Sequence, residues 1–284
     1  MIEYKIRQKV SYIWLLARKC RLILGWFLYQ LSKPLKIYRY FRVDEYDFHE
    51  PKLSENAIEI ANGYVAEAIG AYVIEHNIND VSGLSQYYPY QKISKIEGGN
   101  AKIKAVNVGC FYAGADALFL KENPSSEVYG LDFGNIKKVN SNLLADNLVL
   151  YEGYPLDSLL ALHDENKSIK FDYAIFVRTA TKINIEQMYS YMEILKEMAN
   201  NIIFLELAKL VTRSEKVIDI SKIDIDNPLK LYGGLYLHNY PLLLEKYGYK
   251  ILESEILSPS TFPKQSLTTD HNFIYIHGKK NIAG

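Results

Sequence analysis

Short apolar runs alternate with segments of helical periodicity over the last two thirds of the chain. The apolar runs predict strands at Ile103–Val108, Glu127–Leu131, Leu148–Tyr151, Phe171–Val177, Ile202–Leu207, Tyr249–Leu257 and Asn272–His277. The spacing between them predicts helices at Ala115–Glu122, Ile136–Asp146, Leu156–His163, Ile185–Asn200 and Leu237–Tyr247. This alternation indicates an α/β fold with a parallel, doubly wound sheet and right-handed crossovers. The last two strands lack a helix-length spacer, so we expect them to form a hairpin-like edge.

The residues before this alternation follow a different pattern. Residues 1–42 are predicted to form a basic, amphipathic helical arm. Residues 43–99 are predicted to form a helical extension, with a helix that begins after Ser54 and a substrate-side loop at Ser82–Gly99. The α/β domain is then expected to occupy residues 100–284.

The turn between the first strand and the first helix of the sheet carries the most specific pattern. Gly109 and Gly114 fill the first and sixth positions of a dinucleotide-binding turn, but the third position is Phe111. Glycine is needed there so that the backbone can approach a pyrophosphate. Asp132 follows the second strand, 23 residues after Gly109, close to the roughly 20 expected for an acid that binds a ribose. An adenosine-containing cofactor without phosphates, S-adenosylmethionine, fits both observations.

On this turn and this acid, the chain resembles the class I S-adenosylmethionine-dependent methyltransferases over about residues 100–280. The resemblance implies a Rossmann-like sheet of about seven strands whose last strand is antiparallel. The chain departs from the family at Asn107, where the family often has an acid, and at Phe111 and Ala113, which replace central glycines. The residues implied to contact the cofactor follow the first three strands: Asn107, Gly109, Cys110, Phe111, Gly114, Asp132, Phe133, Gly153 and Tyr154.

The resemblance implies methyl transfer, and two other functions stay open. The first is an NAD-type oxidoreductase on a related sheet, which Phe111 disfavours. The second is a non-catalytic, membrane-attached scaffold with the same fold. Residues 153–157 also faintly resemble a segment of macrolide sugar O-methyltransferases, which hold a metal with acids after the fourth strand. The corresponding segment here, Phe176–Thr181, contains no acid, so no metal is predicted.

There are three candidate catalytic residues, two of them near the carboxyl ends of predicted strands, where ligands bind in open α/β sheets. Arg178 follows the fourth strand and is placed to bind an anionic substrate, or to pair with an acid of the domain. Glu206 lies near the end of the fifth strand and is a candidate base, or one partner of an ion pair. His238 precedes a predicted helix within the segment Tyr232–Pro241 and is either the general base or a residue that packs at the start of that helix.

Aromatic side chains in predicted loops suggest a sugar-like acceptor, because aromatic rings stack on sugars, although most tyrosines serve as amphipathic packing. Together with Arg178, the candidate substrate-binding residues are Tyr88, Tyr112, Tyr236 and Tyr240. The expected reaction is methylation of a hydroxyl on a sugar or surface-glycan precursor, or of an attached phosphate-type group.

The charge is distributed unevenly along the chain, although its net value is zero. Residues 1–42 contain ten lysines and arginines and one acid, Glu3, among apolar runs that are too short to span a bilayer. Trp14 and Trp26 suit a headgroup boundary, so the arm is predicted either to lie on an anionic membrane or to pack on the domain or on a second subunit of a homo-oligomer. Nucleic acid is not an expected partner, because the acidic remainder of the chain would repel it.

The two cysteines, Cys20 and Cys110, are far apart and match neither a disulfide framework nor a zinc site. This usage favours a reducing cytoplasm. With the basic arm, it predicts a cytoplasmic protein that is peripheral on the inner membrane face. Cys110 is interpreted as a small, partly buried residue of the cofactor turn rather than a nucleophile.

Overall fold

The computed structural model describes residues 84–99, 101–110, 113–132, 146–208, 219–231, 235–258, 261–262 and 272–281. Several predictions fall outside these residues and stay predictions: the basic arm and its partners, the helix after Ser54, the helix Ile136–Asp146 up to its last residue, Phe111, Tyr112 and Phe133. No helix among the described residues has the length and apolarity needed to cross a membrane.

A seven-stranded sheet forms the centre of the fold, in the order β3-β2-β1-β4-β5-β9-β8. Its strands are β1 (Lys104–Val108), β2 (Glu127–Asp132), β3 (Leu148–Glu152), β4 (Phe171–Val177), β5 (Ala199–Leu207), β8 (Tyr249–Leu257) and β9 (Phe273–Lys280). Neighbours among the first five pair in parallel, whereas β9 is antiparallel to both β5 and β8. The predicted doubly wound α/β fold with a reversed last strand is confirmed.

The strand order changes direction between β1 and β4, because the chain passes from β1 to β2 and β3 on one side before it crosses to β4 on the other. Ligands in such sheets bind in the crevice outside the carboxyl ends of the strands at this switch point. The segments that follow β1 and β4 therefore border the expected binding site. Val108 and Phe176, near the ends of these strands, are register partners.

Five helices are described: α1 (Tyr88–Glu97), α2 (Gly114–Glu122), α3 (Pro155–Glu165), α4 (Ile185–Met198) and α5 (Tyr240–Lys246). Two predictions are wrong. The loop expected at Ser82–Gly99 contains α1, because Pro89 lies in the first turn, where a helix needs no N–H from it, and Tyr90 and Ile93 are buried. The last helix does not begin at Leu237, which belongs to a small hairpin of β6 (Leu229–Leu231) and β7 (Leu235–Leu237).

The sheet is covered on both faces, and alternate residues of β4 supply the two cores. Ala174 and Phe176 face one core with α3, α4 and α5. Tyr173 and Ile175 face the other core with α1 and α2. The sequence of a strand that is buried on both faces is a nearly continuous apolar run, which explains why the bounds of β4 were predicted correctly. The two helical layers leave the carboxyl edge of the sheet to the connecting segments.

Candidate active site

Gly109 turns the chain sharply at the end of β1. Its φ of +76° is a left-handed conformation that side chains rarely adopt. A Cβ at this position would lie 2.7 Å from Cγ2 of Thr179 and closer still to its Oγ1. The backbone N–H groups of Gly109 and Cys110 donate to the Leu131 carbonyl oxygen at 2.7 and 3.2 Å. The turn is therefore fixed between the end of β2 and the segment that follows β4.

Ala113 supplies a second left-handed residue, with φ +52°, immediately before α2. This conformation costs an L-residue about 1–2 kcal/mol. The turn thus adopts a glycine-like backbone at one of the positions where the chain departs from the family. Gly114 begins α2 and is buried, so the predicted glycine pair marks the start and the end of the turn.

Asp132 ends β2 and is partly exposed at the carboxyl edge. It directly follows Leu131, whose carbonyl oxygen accepts the two N–H groups of the glycine turn. The Asp132 carbonyl oxygen accepts a hydrogen bond from the Gly153 N–H at 3.0 Å. Tyr154 follows, and its hydroxyl accepts a hydrogen bond from Gln187 Nε2 at 2.6 Å. Four of the predicted cofactor residues, Gly109, Asp132, Gly153 and Tyr154, therefore lie in adjoining segments of one edge.

Cys110 is buried beneath the turn, and a Cβ added to Gly130 would lie 2.9 Å from its Sγ. Burial raises the pKa of its thiol well above the usual value, and the carboxylates of Asp116 and Asp132 raise it further. A thiol of this kind is a poor nucleophile, because the thiolate is the reactive form. The packing role predicted for Cys110 agrees with this environment, and its cofactor contact stays a prediction.

Asp116, in the first turn of α2, is a buried acid that sequence reasoning missed. Its Oδ1 accepts hydrogen bonds from the Tyr90 hydroxyl and from Asn107 Nδ2, the latter at 2.8 Å. Two further buried acceptors, Asn107 Oδ1 and Asp116 Oδ2, make no hydrogen bond with the described part of the chain. A carboxylate from α2 thus lies beside Asn107, the position where the family often has an acid. The only sequence pattern that pointed to it was an acid directly after Gly114-Ala115.

Asp116 is expected to make the protein less stable as the pH rises. Burial raises the pKa of its carboxyl to about 6, although hydrogen bonds from Tyr90 and Asn107 act in the opposite direction. The native state therefore binds more protons than the unfolded state between about pH 4 and about pH 6, and the free energy of unfolding falls over that range. The shift corresponds to at most about 3 kcal/mol. We expect Asp116→Asn to flatten this part of the curve, measured by urea unfolding.

The exposed residue Asp157, in the first turn of α3, provides the control. Asp157→Asn should leave the slope of stability against pH as it is in the unmodified protein. Burial also raises the pKa of Glu206 to about 7, so part of the slope should persist in Asp116→Asn. Parallel curves for Asp116→Asn and the unmodified protein would contradict the assignment.

The segment after β4, residues 178–183, is named the β4 loop. Glu206 on β5 is fully buried beneath it and accepts hydrogen bonds from the N–H groups of Thr179 (2.9 Å), Ala180 (2.7 Å) and Thr181 (3.4 Å). These contacts position the loop and leave Glu206 without direct access to a substrate. The role of base predicted for Glu206 stays untested, and its geometry favours a positioning role.

His238 holds the other end of the β4 loop. It is buried, and its Nε2 lies 2.9 Å from the Ile183 carbonyl oxygen, to which it donates as the Nε2–H tautomer. Burial lowers its pKa, so the neutral form is favoured. Its Nδ1 makes no hydrogen bond. The geometry favours the packing alternative over the general base predicted for His238.

The predicted substrate tyrosines lie in different environments. Tyr240 is fully buried against Phe204, with ring centroids 4.9 Å apart, so it packs in the core. Tyr236 is partly exposed, with its ring centroid 6.2 Å from that of His238. Tyr88 donates to Glu255 Oε1 at 2.6 Å, and burial raises the pKa of its hydroxyl to about 12. Tyr88 therefore anchors α1 to β8, away from the switch point.

Among the described residues, no group of three or more histidine, cysteine, aspartate or glutamate side chains is arranged to hold a metal ion. The prediction that the reaction needs no metal stays a prediction.

The comparison with known proteins shows similarity of fold only. No protein-family model matches the chain, and no curated protein matches its sequence. A candidate O-methyltransferase from Nostoc punctiforme is 13% identical, with a TM-score of 0.46 over 68% of this chain and 56% of the other. The chain thus spans little more than half of that protein.

Two other solved structures resemble this chain to a similar extent. Magnesium protoporphyrin IX methyltransferase from Synechocystis, solved with bound S-adenosylhomocysteine, is 12% identical, with a TM-score of 0.45 over 90% of this chain and 99% of the other. Human N-acetylserotonin methyltransferase, solved in complex with S-adenosylmethionine, is 11% identical, with a TM-score of 0.49 over 82% of this chain and 59% of the other.

Proposed function

We propose that this chain is a methyltransferase that uses S-adenosylmethionine. One observation carries the proposal: the glycine turn after β1 is hydrogen-bonded to Leu131, so the turn and the ribose-binding candidate Asp132 are held side by side. They meet at the edge where ligands bind in doubly wound sheets. A partly exposed carboxylate beside a left-handed glycine suits an adenosine whose ribose hydroxyls donate hydrogen bonds.

The residues of the chain divide the work of binding and positioning. Asp132 accepts hydrogen bonds from the ribose hydroxyls, while the Gly109 turn gives the rest of the cofactor room to approach the backbone. Glu206 and His238 hold the β4 loop at the other side of the crevice. A loop fixed in this way presents an acceptor in line with the reacting methyl group, which is how positioning lowers the barrier of a displacement.

The acceptor we propose is a hydroxyl of a sugar or glycan precursor. Bound S-adenosylmethionine supplies a methyl group on a sulfonium. The acceptor hydroxyl would take that methyl group and release S-adenosylhomocysteine, and the hydroxyl proton would pass to a base or to water. Tyr236 is partly exposed, its ring centroid lies 6.2 Å from that of His238, and it is the candidate to stack on a sugar ring.

Calorimetric titration of the full chain tests this function. We expect saturable binding of S-adenosylhomocysteine and no binding of NAD, because the turn lacks the glycine that a pyrophosphate requires. Binding of NAD without binding of S-adenosylhomocysteine would replace the proposal with an oxidoreductase. A second arm follows transfer of labelled methyl groups into a cell-envelope extract. Cofactor binding with no transfer to any acceptor would favour the non-catalytic scaffold.

A further inference from the structure

Two cations of the β4 loop lack an ion partner. Arg178 directly follows β4, and Lys182 ends the short 3-10 helix Ala180–Lys182. Neither takes part in any salt bridge among the residues that the structure describes. The lysines that are paired include Lys92, with Glu253 at 2.6 Å, and Lys222, with Asp219 at 3.2 Å. Glu206 and Asp132 attract these cations at longer range, but no described acid forms a salt bridge with either of them.

Both cations can be reached from solvent, because Lys182 is exposed and Arg178 is partly exposed. Nearby protein nevertheless lowers the pKa of the Arg178 guanidinium and that of the Lys182 ammonium by desolvation. Holding unpaired charges in such a place is unfavourable, and an anionic ligand would offset that cost.

The backbone at Arg178 is strained. Its φ is +56°, in the left-handed region that costs a non-glycine residue about 1–2 kcal/mol. Its N–H donates to the Leu205 carbonyl oxygen at 2.9 Å, so the fold imposes this conformation. Strain of this kind persists where the surroundings fix it, and it clusters at ligand-binding sites. A glycine at this position would avoid the backbone strain that the arginine causes. The presence of arginine therefore indicates that its side chain has another use.

The location of the two cations places them beside the proposed cofactor. Thr179, which directly follows Arg178, lies over Gly109, and the charge of Asp132 raises the pKa of Lys182. S-adenosylmethionine carries a sulfonium, an ammonium and a carboxylate, so it is a net cation. Asp132 and Glu206 attract the two cations and offset part of their positive charge, and a negatively charged second ligand would offset more of it. An acceptor with a phosphate or carboxylate group satisfies the cations and the cofactor together.

We propose that Arg178 and Lys182 bind a phosphate or carboxylate group of the acceptor and so select an acidic or phosphorylated sugar. This rests on the proposed function, because the β4 loop borders an acceptor site only if the neighbouring turn holds the cofactor. Arg178 supplies two parallel N–H donors to an oxyanion, whereas Lys182 supplies a point charge. The other source of the same chemistry is the methionine carboxylate of the cofactor itself.

The test uses the full chain, titrated with inorganic phosphate in the absence and presence of saturating S-adenosylhomocysteine. The variants are Arg178→Met and Lys182→Met. Arg178→Gly is a second variant at position 178, because glycine tolerates the left-handed backbone there. Each should weaken phosphate binding by about tenfold or more, as expected for a lost charge-assisted hydrogen bond. The affinity for S-adenosylhomocysteine should change by less than about threefold.

Lys222→Met is the matched control, since Lys222 also ends a short 3-10 helix but is exposed and paired with Asp219. It should leave phosphate binding unchanged. Circular dichroism verifies that every variant is folded.

Two further outcomes decide the proposal. If the Arg178 and Lys182 variants lose affinity for S-adenosylhomocysteine but not for 5′-methylthioadenosine, which lacks the carboxylate, the cations hold the cofactor and the proposal is overturned. Phosphate binding that no variant changes overturns it as well. A protein that binds no S-adenosylhomocysteine refutes the proposed function instead, and titration of the free protein with phosphate still decides whether these two residues form an anion site.

Discussion

Asp132→Ala is expected to weaken S-adenosylhomocysteine binding by at least about 100-fold while the protein stays folded. The carboxylate is proposed to accept hydrogen bonds from both ribose hydroxyls, and a hydrogen bond to a charged group contributes about 1.5–3 kcal/mol. Loss of two of them corresponds to at least two orders of magnitude in Kd. The side chain is partly exposed at the end of β2, and the bond from Gly153 uses the Asp132 carbonyl oxygen, so Asp132→Ala retains this backbone contact.

Two further variants make this experiment specific. Asp132→Asn keeps one acceptor oxygen. Its affinity for S-adenosylhomocysteine should lie between that of the unmodified protein and that of Asp132→Ala. Asp157→Ala removes an exposed acid from the first turn of α3 and should change Kd by less than about twofold. Calorimetry gives each Kd, and circular dichroism verifies the fold. An unchanged Kd in Asp132→Ala would remove Asp132 from the site.

The strands show where sequence patterns locate an element well and where they do not. The bounds of β4 and β8 were predicted to the residue, since their apolar or alternating runs end in turn residues. β5 begins at Ala199, three residues earlier than expected, because backbone pairing with β4 continues through two asparagines. Asn201 is accommodated there by donating from Nδ2 to the Asp172 carbonyl oxygen at 2.8 Å. Such a partner depends on the neighbouring strand, so periodicity along one segment does not reveal it.

Helix α1 was not predicted because the burial of its apolar residues depends on tertiary contacts. Its sequence combines two tyrosines and a proline near the N-terminal end with polar residues, a composition typical of loops. In the fold, Tyr90 stacks on Phe119 of α2, with ring centroids 4.7 Å apart. The aromatic pair buries large side chains between the two helices. Intrinsic propensity is a weak guide where packing of this kind decides the structure.

Some residues of the candidate site could likewise be predicted from the sequence, and others could not. Gly109 and Asp132 were found from the sequence because a turn motif fixes both their residue types and their spacing. The pairing of Asn107 with Asp116 and the support of the β4 loop by Glu206 depend on residues brought together by the fold. The residue types alone suggested a catalytic role for Glu206. Its burial and its three backbone donors indicate instead that it positions the loop.

Gly109→Ala is expected to lower the free energy of unfolding by about 3 kcal/mol or more. Placing an L-residue in the left-handed region costs about 1–2 kcal/mol. Here the new Cβ would also overlap the Thr179 side chain, including its Cβ at 2.9 Å, and overpacking of this kind typically adds about 1–3 kcal/mol. Relief requires the β4 loop to move, so binding of S-adenosylhomocysteine should weaken as well. Urea unfolding and calorimetry measure the two effects.

Gly248→Ala separates the two contributions, since Gly248 has a φ of +83° and a Cβ there would meet nothing within 4 Å. This variant should show the backbone cost alone, about 1–2 kcal/mol, with no change in cofactor binding. A double-mutant cycle of Gly109→Ala with Thr179→Gly should recover the steric part, because Thr179→Gly removes the three atoms that lie nearest to the new Cβ. Equal losses of stability in Gly109→Ala and Gly248→Ala would show that the β4 loop yields without cost. In that case the crevice between β1 and β4 would not be the rigid site that positions an acceptor beside the cofactor.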